Sequence, residues 1–446
     1  LRPPAARART ASRSRSTRVT QTVDGYWPSR WPGEDGGPRR QQIPRTGTGL
    51  NIDHNSKLEV VARDVTAATM AVLRDSGEVF ILRHTAGDDA ISWVERIDPV
   101  TLECIERSPD LLGGPTWPGG MAAHANGSLY VIFGNHAHRL NADTSIAQTV
   151  ALPRLRPYNS FVILPDGNLA TKDFAGHRPG QSSTPLDPPN SELLILSADN
   201  LEIIDRLTLS EPSIARLSAQ PTGADSAAIY IVGDTSLLRV QWNGTALSFD
   251  SEFVAPYRTL PGQTYGWDAV ITQPAAWFLD NGAGSENYAG SYRGVGVSTA
   301  PLHLVRVDLN TGVATLSEIC GLPNGVVANP PVVDESRQIA VGFDSANGVL
   351  TAFDYDSNGA TSLRWRRNQY HACHMILFSD TGEIVTAHYD HDRMMEQCVI
   401  IDIESGEEKA RADLQSPVQS VLFPSPGFSR DFYTCSFTTF SHVTVI

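Results

Sequence analysis

A chain of 446 residues, 41% hydrophobic and 19% charged, has an ordinary globular composition and is long enough for one large repeat domain or two to three smaller ones. No apolar run approaches the roughly 20 residues that cross a bilayer, which excludes a membrane-spanning helix. The formal net charge of −14 excludes nucleic acid or an anionic membrane as the main partner, because both need a basic face, and leaves room for cationic or metal-bound ligands.

The opening "LRPPAARARTASRSRSTRVTQTV" carries six arginines and no acid before Asp24. Such a stretch cannot bury a core and is expected to be disordered. It resembles an organellar transit peptide, Arg- and Ser-rich and acid-poor. A start at Leu1 fits a truncated or misplaced beginning equally, so the compartment stays open. "YWPSRWPGEDGGPRRQQIPRTGTG" continues as a Pro/Gly-rich linker, which places the domain at 51–446 and a disordered segment at 1–50. The five cysteines, Cys104, Cys320, Cys373, Cys398 and Cys435, are odd in number and form no CxxC pair, so a dense disulfide framework is excluded.

From residue 57 onward short β-type runs alternate with turn residues, and helical periodicity is nearly absent. "TMAVLR-DSGE-VFILRH" is followed by "WVERID-PVTLE-CIERS", and "FVILP-DGN-LATKD" by "LLILSA-DNLE-IIDRL". The clearest unit spans 371–412: "HMILFS", the turn "DTGE", "IVTAHY", "CVIIDI", the turn "ESGE" and "EKARADL". Four strands per period of about 40–50 residues mean propeller blades, because one such sheet cannot cover its own faces and radial packing buries both. Innermost strands are expected near 68–74, 119–124, 159–164, 214–219, 267–272, 328–333, 373–378 and 418–423. That gives eight blades, with seven as the neighbouring alternative. The last lacks a fourth strand, and "KLEVVA", 57–62, is free to supply it and close the ring.

The turns between third and fourth strands read "IDPVTLE", "VDLNTGV", "FDYDSNG" and "IDIESGE", each with an Asp at the strand end: Asp98, Asp308, Asp354 and Asp402. In this the chain resembles propellers of the quinoprotein-alcohol-dehydrogenase-like superfamily and their YVTN-type relatives. The resemblance implies the fold and a side-chain cap on the turn. The quinone cofactor of that superfamily (PQQ) does not carry over: no two cysteines are adjacent and the eight tryptophans follow no regular docking pattern.

Aligning blades on Gly77, Gly127, Gly167 and Gly382 sorts the polar residues by height. His124 falls in a hairpin, as a solvated turn residue. Second strands end in Arg83, Lys172-Asp173, Asp280 and His388, and innermost strands begin near Asn159, Trp267-Asp268 and His371/His374. All map to one rim of the channel, the default place for a ligand. "TAHYDHD", 386–392, therefore straddles a channel mouth, with His388 expected to face the channel and His391 to be solvated.

Two chemistries suit this set. A cross-strand pair of His374 and His388, completed by Asp268 or Asp173, is a candidate site for zinc, manganese or iron. Alternatively, His374 or His388 beside Asp173, Asp268 or Asp280 is a candidate acid–base group with its orienting carboxylate. Arg83, Lys172, Asn159, Trp267 and Asp280 would then contact the ligand. The long loops 174–192 and 281–301 should overhang the same rim, where Tyr288 and Tyr292 could stack on a ligand and Arg178 or Arg293 pair with an anion. The expected function is binding of a small polar or anionic molecule at the channel mouth, as a lyase or hydrolase. The alternative is a non-catalytic scaffold that presents its rim loops to a protein partner.

Overall fold

The computed structural model describes residues 25–176, 188–285, 290–420 and 423–446, with backbone only at Asn159. Its sheets are eight, each with four antiparallel strands in sequence order around a ring, two of them carrying a short extra edge strand. The chain is an eight-bladed β-propeller. Among the described residues no helix is long and apolar enough to cross a membrane.

Each blade is built from hairpins that the sequence punctuates. Gly77, Gly127, Gly167 and Gly382 all have positive φ in the turn between first and second strands. The Asp caps form at three of the four expected turns. Asp98 Oδ1 accepts from the amides of Val100 and Thr101 at 2.9 and 2.8 Å, Asp308 from Asn310 and Thr311, and Asp402 from Glu404 and Ser405. In the sixth blade the cap moves two residues on: Asp356 Oδ1 accepts from Asn358 and Ala360, and Asp354 pairs instead with Arg364 at 2.7 Å.

The eighth blade ends as the missing strand requires. Leu58–Asp64 runs antiparallel to Thr439–Val445, pairing Leu58 with Val445 and Asp64 with Thr439, and so closes the ring with the N-terminal strand. Innermost strands of the first three blades lie where expected, at Ala68–Leu73, Gly120–Ala123 and Tyr158–Ile163. Later ones are shorter and sit three to seven residues further along: Ser218–Pro221, Val270–Ile271, Val332–Asp334, Ile376–Phe378 and Ser425–Pro426.

The largest departure is the segment before the ring. Residues 25–50 are not a linker but a strap across the hairpin end of the channel, and they touch every blade. Trp31 O accepts from Leu73 N, Pro32 O from Ala123 N, Pro38 O from Ala219 N, Arg39 O from Ile271 N and Gln42 O from Leu377 N, at 2.7–2.9 Å. Tyr26 OH accepts from Ile163 N at 3.0 Å, the Gln42 amide donates to Pro331 O at 2.7 Å, and Arg30 Nη1 donates to Gly427 O and Ser429 O. The physical reason is the inner edge of each blade. Its free backbone groups need partners once the channel closes around them, and one irregular segment supplies them to all eight blades. Close passage needs Gly36, at φ +82°, where a Cβ would lie 2.8 Å from Ile43 O.

His124 is covered by this strap and is not solvated. It is 5% exposed, its Nε2 lies 2.8 Å from Gly167 O, and its Nδ1 accepts from Asn126 N at 2.9 Å. Burial pushes its pKa down. Residues 1–24 lie outside the described residues.

Candidate functional site

The strap carries charge into the channel. Glu34, Asp35 and Arg40 are all buried. Arg40 pairs with Glu34 Oε2 at 2.8 Å and Asp35 Oδ2 at 2.9 Å, and its Nε donates to Leu217 O. Glu34 Oε2 also accepts from Ser160 Oγ at 2.7 Å. On the far side Arg216 Nη1 pairs with Asp268 Oδ2 at 3.1 Å, and Asp268 Oδ1 accepts the Arg216 amide at 2.6 Å. Two sequence-predicted residues, His374 and Asp268, thus belong to one buried network, linked by groups that sequence reasoning did not place there.

His374 is the chemically distinctive member. Its Nδ1 donates to Asp35 Oδ1 at 2.7 Å, while its Nε2 is buried with no hydrogen-bond partner among the described residues. Burial works to raise the Asp35 carboxyl, but His374 and Arg40 outweigh it and hold it below the usual range. Burial raises the Glu34 carboxyl despite Arg40 and Arg216. Phe423 packs against the His374 ring, with centroids 4.0 Å apart, and carries the Arg216 guanidinium on its face at 4.6 Å. Lys172 is fully buried, donating to Ser213 O at 3.0 Å and Asp173 O at 3.2 Å. Burial lowers its pKa to about 7, against the pull of Asp173 and Asp268.

Toward the rim an aromatic wall forms. Trp117 stacks on Phe174 at 4.1 Å and on Trp267 at 5.9 Å. Trp267 is buried, as a channel residue should be, and its Nε1 has no partner among the described residues.

The other expected site residues are engaged elsewhere. Asp173 pairs with Arg156 at 2.9 Å and Arg154 at 3.2 Å and accepts the Glu192 amide. Asp280 holds His303 Nδ1 at 2.8 Å and the Gln263 amide at 2.7 Å. Arg83 is bound by Glu95 at 2.6 Å and lies over Trp93, on the face of the first blade. Asn159 falls at the irregular start of its strand. His388 does not face the channel: its Nδ1 accepts from Tyr370 N at 3.4 Å, and burial, with Arg411 nearby, lowers its pKa to about 4. His391 sits edge-on to the same tyrosine at 4.5 Å. His388 is on the second strand Glu383–Asp390, and its ring lies beside Tyr370 and the fourth-strand Arg411.

The pairing of His374 with His388 as metal ligands therefore does not form, and among the described residues no three His, Cys, Asp or Glu side chains converge as a metal would need. Of the rim-loop residues, Tyr292 is buried beneath its loop and Arg293 lies over Tyr370 at 5.4 Å. Arg178 and Tyr288 lie outside the described residues.

Among solved structures the chain is similar to the quinohemoprotein alcohol dehydrogenase of Comamonas testosteroni. The TM-score is 0.59 at 10% identity, over 96% of this chain and 81% of that one. The likeness shows a shared β-propeller fold. Quinohemoprotein alcohol dehydrogenase ADHIIG of Pseudomonas putida HK5 gives 0.57 at 9% identity, over 94% and 80%. Saccharomyces cerevisiae Sqt1 gives 0.52 at 9%, over 86% and 98%. No family model and no curated sequence matches. At such identities the likeness is one of fold alone.

Proposed function

We propose that this propeller binds a small polar or anionic molecule inside its channel, on the rim side of the strap, and that His374 is an acid–base group oriented by Asp35. One observation carries the reading: a buried imidazole with a carboxylate on Nδ1 and an Nε2 unpartnered among the described residues. Buried polar atoms are rarely left unpaired. A carboxylate on Nδ1 selects the tautomer whose Nε2 lone pair can take a proton. Among the described residues Glu34 Oε1 and Arg216 Nε are buried without hydrogen-bond partners in the same network, with Arg216 Nε 3.8 Å from Glu34 Oε2, so one polar ligand would satisfy several groups together. Arg216 supplies the planar fork that recognises carboxylates and phosphates. Lys172, with a pKa near 7, adds a second group able to exchange a proton at neutral pH. The reaction class that suits these groups is proton abstraction or hydrolysis, as in a lyase or hydrolase.

Calorimetric titration with malate, gluconate and glycerol phosphate tests the reading. At least one should bind the native chain, and His374→Asn should weaken that binding at least tenfold while thermal stability changes little. Failure of all three to bind, or binding indifferent to His374→Asn, would sink it in favour of a propeller that presents its rim loops to a protein partner.

A further inference from the structure

Independently of the channel, we propose a second binding site, on the opposite face, for a small molecule that carries an anionic group on an aromatic body. The strap and the hairpin ends of the second and fourth blades enclose a cavity of about 910 Å³, lined among others by Tyr26, Trp27, Arg39, Gln41, Arg45 and Gln220. That is the size of a cavity that takes a whole small ligand. Its charge is opposite to that of the chain. Among the described residues Arg39, Arg40 and Arg45 line it with Asp35 as the lone acid, in a protein of net charge −14.

Both Asp35 oxygens are already committed, one to His374 and one to Arg40, and Arg40 is neutralised in turn by Glu34. The surplus is therefore positive and resides on Arg39. Arg39 is exposed, and among the described residues its guanidinium has neither an ion pair nor a hydrogen bond; its backbone carbonyl alone is used, by Ile271 N. A free guanidinium beside a cavity is a ready fork for a carboxylate or phosphate.

The rest of the wall mixes apolar and aromatic groups with the neutral polar Ser29, Gln41, Thr46 and Gln220. Tyr26 and Trp27 stand at one side, with Pro38, Ile43 and Pro44 on the strap itself. Arg45 lies over the Tyr26 ring at 5.8 Å, which joins the cationic and aromatic parts of the wall. Gln41 is anchored to Glu335 at 2.8 Å, so the strap is held in place where it forms the cavity. Gly37 leaves the floor open: a Cβ there would meet nothing within 4 Å.

Calorimetric titration with phenyl phosphate, and in parallel with inorganic phosphate, tests the site. Phenyl phosphate should bind the native chain at least tenfold more tightly than inorganic phosphate. Arg39→Gln, at an exposed position, should weaken phenyl phosphate at least tenfold. Gln220→Trp should abolish binding by filling the cavity, and Lys172→Met, in the channel and outside the cavity lining, should leave it unchanged. No binding of phenyl phosphate at millimolar concentration overturns the proposal. So does binding that survives both Arg39→Gln and Gln220→Trp. Loss in Lys172→Met with retention in Arg39→Gln would place the anion in the channel and overturn it as well, while supporting the channel reading.

Discussion

His371 and His138 show what burial does to single residues here. His371 is fully buried, with Nδ1 on Thr386 Oγ1 at 2.6 Å, and burial, with His374 close by, lowers its pKa to about 3. His138 lies between Thr149 Oγ1 and Leu112 O, and burial lowers its pKa to about 4. An unfolded chain protonates both near their ordinary value of 6.5. Between that value and the folded ones the unfolded state binds more protons, so stability falls as pH falls. The contribution is fully present above pH 6.5 and is lost progressively down to about pH 3–4. Urea midpoints should therefore decline already between about pH 6.5 and 5, where carboxylates with ordinary pKa values of about 4 have hardly begun to titrate. A decline no steeper in the native chain than in His138→Asn would mean that His138 charges as readily folded as unfolded. The sequence places His138 on a strand and His371 in the connection before one; it does not show which neighbours bury them, and that burial decides the pKa.

At the scale of elements, the strap separates what was legible from what was not. Hairpin turns, Asp caps and the closing strand follow from local chemistry and are readable residue by residue. The strap has no period, and its Pro and Gly read as linker because they usually are. Its function as an edge partner depends on eight strands distant in sequence. One local signal was available: Glu34, Asp35, Arg39 and Arg40, with Trp27 and Trp31, break an otherwise acid-poor run. Missing it also misassigned the orienting carboxylate of His374, which was sought on the rim and is Asp35. With the chain from Gly25 onward as reference, removing 25–50 should cost several kcal/mol in urea melts. Backbone hydrogen bonds to the inner edges are lost, and Asp268 with Arg216 is left without its charged neighbours. Equal midpoints for the two chains would show that the blades hold their inner edges unaided.

At the scale of the whole molecule, a propeller is stable because every blade has two neighbours, and the ring needs one closing contact. Here it is Leu58–Asp64 on Thr439–Val445, seven paired residues that tie the start of the ring to its end. The closure also extends the hydrophobic core, since Leu58 and Val60 pack against a cluster that includes Phe432, Val443 and Val445. Because Thr439–Val445 pairs on its other side with Asp431–Cys435, loss of the closing strand would turn a central strand into an exposed edge. An edge of that length frays and invites pairing with other chains. Deleting residues 1–64 should therefore do more than deleting 1–50. Amides on the Leu58-facing edge of Thr439–Val445 should exchange at least a hundredfold faster, while those of Val79–His84, within the first blade, keep most of their protection. The truncated chain should also self-associate as concentration rises. If exchange instead accelerates equally in all eight blades, the ring unfolds as one unit and the strand closes a cooperative whole. If neither blade changes, the closing strand contributes no net stability.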